Sequence, residues 1–74
     1  MEQTVRAELV ASVHSVVAQV GDQVAVGDTL VILESMKMEI PVVATVAGVV
    51  HEVVCAEGRS LAAGDPVCVV RVKE

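Results

Sequence analysis

The sequence predicts an all-β fold made from two copies of one short unit, and three observations carry that prediction. Twenty of the 74 residues are Val, whose branched Cβ stiffens the side chain and favours strands over helices. Phe, Tyr and Trp are absent, so the core has to be assembled from small aliphatic groups in a thin arrangement. Laying residues 1–37 over residues 38–74 gives identity at 12 of the 37 positions. Among them are Val13/Val50, His14/His51, Gly21/Gly58, Gly27/Gly64 and Asp28/Asp65. Abundant Val could produce chance Val matches, but not two Gly pairs, an Asp pair and a His pair in one register.

The elements follow in order. Val5 to Val10 and Val13 to Val20 are Val-rich runs that read as strands, and Gly21-Asp22 and Gly27-Asp28 punctuate the chain around Val24. Thr29 to Glu34 is a further strand. The second half repeats this with Pro41 to Val46, Gly48 to Val54, Gly58, Leu61, Gly64-Asp65 and Pro66 to Val72. Gly21, Gly27, Gly48, Gly58 and Gly64 read as turn positions that suit backbone with positive φ, and Asp28 and Asp65 as side chains able to hydrogen-bond the local backbone. No window holds a helical period with caps at both ends. A unit of about 37 residues cannot bury an apolar face alone. Two units related by a pseudo-twofold axis can, as a flattened barrel or sandwich of two small antiparallel sheets with about eight short strands. The chain is expected to form one domain over residues 1–74, with half-repeats 1–37 and 38–74.

Composition excludes some function classes. The net charge is −5 and there is no basic run. That argues against nucleic acid, which is bound by Lys and Arg and stacked on aromatics, and against an anionic membrane surface. The N-terminal residues lack a signal-peptide pattern, and the longest apolar stretch, residues 40–50, is too short to span a bilayer. A cytoplasmic protein, monomeric in isolation, is the expectation. Cys55 and Cys68 lie in apolar settings and read as core thiols rather than a disulfide. His14 and His51 match no metal-ligand spacing and follow from the repeat.

The two halves join at Glu34-Ser35-Met36-Lys37-Met38-Glu39. Symmetry places a tight hairpin there, far from both termini. The residues Met36-Lys37-Met38, preceded by the Gly21 to Leu30 segment and followed by Glu39-Ile40-Pro41-Val42 and Ala47-Gly48-Val49-Val50, resemble the attachment motif of biotinyl domains. These are the biotin carboxyl carrier proteins and the carrier segments of larger biotin-dependent carboxylases, and the resemblance covers essentially the whole chain. It implies a barrel-sandwich hybrid with biotin attached covalently to Lys37 and no catalytic residue of its own. It also implies a biotin protein ligase that recognises Glu34, Ser35, Met36, Met38 and Glu39. Biotin carboxylase and carboxyltransferase partners follow from it too, those of an acyl-CoA carboxylase being the commonest context.

The residues themselves agree with a tethering role. A lysine at a hairpin tip extends a flexible four-carbon stem, and Lys37 and Lys73 are the two lysines of the chain. Lysine is ammonium at neutral pH, so a separate enzyme has to deliver an activated acyl group to its deprotonated form. Two alternatives stand beside this reading. Lipoyl domains share the fold and modify a hairpin lysine, usually after Asp and before a small residue. An unmodified adaptor of the same shape is the other. Glu34 and Glu39 as a catalytic pair is disfavoured, because charges at turns are commonly solvated.

Overall fold

The computed structural model describes residues 1–73, and none of them is helical. Eight strands follow one another: β1 (Glu2–Arg6), β2 (Ala11–Val16), β3 (Gln23–Val24), β4 (Thr29–Ser35), β5 (Met38–Val43), β6 (Gly48–Val53), β7 (Ser60–Leu61) and β8 (Pro66–Val72). They form two four-stranded antiparallel sheets, ordered β1-β8-β6-β3 and β5-β4-β2-β7. Exchanging the halves converts one order into the other. The repeat in the sequence is therefore a repeat in the fold, and β4 and β8 even bury their residues in the same pattern.

The halves interlock through their turns. Gly21 N–H donates to the Val50 carbonyl (2.9 Å) and Val50 N–H to the Asp22 carbonyl (2.9 Å). Gly58 N–H donates to Val13 (2.9 Å) and Val13 N–H to Arg59 (2.8 Å), the same pair with the halves exchanged. A second reciprocal set joins Gly27 and Asp28 to Ala44, and Gly64 and Asp65 to Ala7. The turns have the type II form, with the glycine third and at positive φ (82° to 97°), a conformation that costs other residues about 1 kcal/mol or more. Asp22, Asp28 and Asp65 close three of them by accepting from the N–H of Gln19, Ala25 and Ala62 at 2.8–2.9 Å. Val20 and Val26 stand second in their turns, where the chain is at a corner, and so remain exposed.

Inward residues of both sheets meet in one core, with Leu30, Val31, Leu33, Val50, Val67, Cys68 and Val70 less than 2% exposed. Three sequence readings need correction. The first two strands begin and end earlier than the Val runs suggest: Ala7 to Val10 is not strand but the crossing from one sheet to the other, pinned by Ala7 N–H on the Asp65 carbonyl (2.9 Å). β5 likewise runs from Met38 rather than Pro41 and stops at Val43. Gly48 is not a turn residue either. It opens β6 between β3 and β8, and a Cβ there would collide with the Arg71 carbonyl oxygen. Close backbone approach, not φ, demands glycine.

Both cysteines are free thiols, Cys68 buried and Cys55 half-buried. Burial pushes the Cys68 thiol up to about 11, with the neighbouring Cys55 adding to the shift, and burial also raises Cys55. The folded chain thus holds a proton that the unfolded chain releases near pH 9. The associated stability is complete below that pH and lost as pH rises toward 11, a loss of roughly 2 kcal/mol. Urea midpoints between pH 8 and 11 should fall accordingly, and Cys68→Val, which copies Val31 of the first half, should remove most of the fall. Gly48→Ala should cost about 1–3 kcal/mol in the same assay through overpacking.

Candidate attachment site

Strands β4 and β5 form the hairpin expected at the junction, in register from Leu33↔Ile40 through Glu34↔Glu39 to Ser35↔Met38. That leaves Met36 and Lys37 as a two-residue tip. Both have positive φ, 52° and 66°, the requirement of a type I′ turn, whose twist matches that of the strands and which prefers Asn-Gly. Neither residue is suited to this region, so the tip is held in a conformation that its own sequence disfavours by about 1–3 kcal/mol per residue. The compensation comes from below, where the Leu33 side chain is fully buried and Ile40 packs on the core.

The tip is open to solvent. Met36 is 92% and Met38 66% exposed, Lys37 is exposed, and among the described residues no hydrogen bond or ion pair engages the Lys37 amine. Glu34 and Glu39 face solvent directly across the hairpin, and Ser35 is half-buried. Like charges placed opposite each other are mildly destabilising. The Ser12 hydroxyl donates to the Glu34 carbonyl at 3.3 Å, tying β2 to the base of the tip. The residues present fit a covalent acyl passenger: one amine, unencumbered, on a rigid support, flanked by two adaptable thioethers.

His14 was not legible as part of this site. It is the extra residue of a bulge in β2, between Val13↔Leu33 and Ser15↔Ile32. The bulge turns its ring outward, bringing Nε2 to 3.9 Å from the Glu39 carboxylate. His51 is the matching bulge residue of β6 and approaches Glu2 at 3.4 Å. The exact match of His14 with His51 in the repeat was the available signal, but sequence alone could not supply the carboxylate partner. The two poles differ in their charges. Arg71 stands where the tip has Glu34, and it reaches Glu2 at 3.4 Å. Only the pole bearing Lys37 has its cross-strand carboxylates facing each other without a guanidinium.

Two interlocked half-repeats that meet at a solvent-facing lysine on a hairpin tip have the form of a carrier domain. The chain belongs to the biotin and lipoyl attachment family: the family described as "Biotin-requiring enzyme" matches residues 4–70. It is similar to the biotinylated protein TB7.3 homolog of Mycobacterium leprae, 65% identical over 49 residues, which are 66% of this chain and 69% of that protein. Among solved structures it resembles the Kluyveromyces lactis urea carboxylase (TM-score 0.91, 35% identity over 96% of this chain). It also resembles a single-chain, multi-domain long-chain acyl-CoA carboxylase (TM-score 0.90, 33% identity over 99% of this chain). The chain spans 6% and 7% of those two large enzymes.

Replacing Met36-Lys37 by Asn-Gly should relieve the tip and raise stability by about 1–2 kcal/mol. A higher urea midpoint for M36N/K37G checks this, and an unchanged or lower one would show that the tip is not strained.

Proposed function

We propose that Lys37 carries biotin in amide linkage and that the domain ferries it between the active sites of a biotin-dependent carboxylase. The observation that carries the reading is the exposed amine, unpaired among the described residues, at the strained tip where the half-repeats meet. When bound, biotin supplies a ring nitrogen that accepts and surrenders a carboxyl group. The chain contributes position. A lysine on a two-residue turn moves through a wide cone, while the sheet beneath fixes where that cone is centred, and tethering raises the local concentration of cargo at the next site. The domain needs no catalytic residue for this and has the role of carrier, not enzyme.

A biotin protein ligase loads it. The deprotonated Lys37 amine attacks the acyl carbon of biotinyl-adenylate, the C–N bond forms, AMP departs with the electrons of its C–O bond, and the amine proton passes to solvent. Met36, Met38, Glu34, Ser35 and Glu39 form the ligase's footprint, because they surround the amine on the hairpin. Later partners are a biotin carboxylase and a carboxyltransferase. The likeness to carboxylases that act on urea and on acyl-CoA supports this class of partner. The name of the Mycobacterium leprae relative supports biotin over lipoate.

Incubating the chain with a biotin protein ligase, ATP and biotin should add one biotinyl mass, mapped to Lys37. Lys37→Arg should abolish the addition and Lys73→Arg should leave it unchanged. Label on Lys73, or on Lys37 only with a lipoate ligase, would reject the proposal.

A further inference from the structure

A trough of about 370 Å3 runs along the seam between β1 and β5, the outer strands of the two sheets. The pseudo-twofold axis exchanges these strands, so a groove between them should be lined by matched pairs. Part of it is: Thr4 with Pro41, Val5 with Val42, Arg6 with Val43, and Glu8 with Thr45. Four lining residues break the rule. Ala7, Leu9, Leu33 and Ile40 line the trough, while their counterparts Ala44, Val46, Val70 and Gln3 do not. Leu33 and Ile40 pair with each other two rungs below the Ser35↔Met38 closure, and Leu9 precedes β2, whose Ser12 lies opposite Glu34. The trough is thus displaced toward the pole that displays Lys37.

We infer that this displaced trough is a resting site for the biotin ring carried on Lys37, an inference that rests on the carrier reading above. The reach is right. Ile40 is three strand residues from Lys37, or about 10 Å, and the lysine stem joined to the biotin chain extends roughly a dozen Å. The chemistry is right as well. Biotin presents an apolar thioether ring fused to a cyclic urea, which has one acceptor and two N–H donors. Half-buried Leu9 and Ile40 offer an apolar wall, backed by the buried Leu33. The Glu8 carboxylate can accept from the urea N–H groups. Arg6 spends one donor on the Gly64 carbonyl (2.9 Å) and keeps others for the urea oxygen. Edge strands also leave backbone N–H and C=O groups unpaired, suited to an amide-like ring. At the other pole Gln3 replaces Ile40, and no lysine occupies the position equivalent to Lys37.

The full chain tests this when its amide and methyl NMR spectra are recorded before and after ligation, with the biotin mass confirmed on Lys37. Shifts are expected at Leu9, Leu33 and Ile40 and not at their counterparts Val46, Val70 and Gln3, which serve as internal controls. Ile40→Gln, which writes in the opposite pole's residue, should erase the Leu9 shift. If the ring rests for about half the time, that variant should also speed streptavidin capture about twofold. Leu9→Gln provides the same comparison should Ile40→Gln fold poorly. Shifts confined to residues 35–39 in a chain that carries biotin on Lys37 would overturn the resting site and leave the carrier reading intact. Shifts that grow with protein concentration would overturn it in favour of a second copy of the chain. Absence of biotin from Lys37 would remove the carrier reading and this one together.

Discussion

The structure depends on backbone hydrogen bonds that each half makes to the other and not to itself. The glycine turns of residues 21–28 close on Val50 and Ala44, and those of residues 58–65 close on Val13 and Ala7. A 37-residue unit of small aliphatic side chains buries too little surface to stand alone. Here neither sheet belongs to one half, because each takes strands from both. The halves fold together or not at all, and the core of Val, Leu and Ala is the consequence of that pairing. Without aromatic rings, packing density comes from close approach of the backbones, which is why Gly48 has to lack a side chain.

Where a repeat is this regular, departures from it show where the two halves differ in what they present. The body is conserved between halves in strand bounds, turns, bulges and burial. The poles are not. One has a continuous hairpin with Lys37, Met36 and Met38 exposed and Glu34 opposite Glu39. The other closes with Val72 N–H on the Met1 carbonyl at 2.7 Å and neutralises Glu2 with Arg71. The seam follows the same division, apolar toward the lysine. The proposed attachment site lies where symmetry fails, and the interlocking turns lie where it holds.

Much of this could be read from residues alone. The 37-residue period located the turns, because Gly with Asp in a fixed register has a backbone reason to recur. The same period located the tip, which turn propensity would have missed, since Met-Lys is a poor type I′ pair. Strand ends in the first half were misplaced because Val is found in strand, crossing and corner alike and so carries no boundary signal. The bulges at His14 and His51, and the skew of the seam, arise from pairing between residues far apart in sequence. Local pattern does not encode them.

The body measures 38 Å along its length and 17 Å across. From the tip, β5 leads away toward Ala47, whose carbonyl accepts from Lys73 N–H (3.0 Å), so the closure at Met1 and Val72 lies at the end remote from Lys37. A protein gripping that remote end would hold the amine out on a stiff boom rather than against its own surface. Small rotations at the grip would then sweep the cargo through distances comparable to the tether itself. On the carrier function proposed for Lys37, body and side chain would act as two joints in series, the first setting direction and the second final placement.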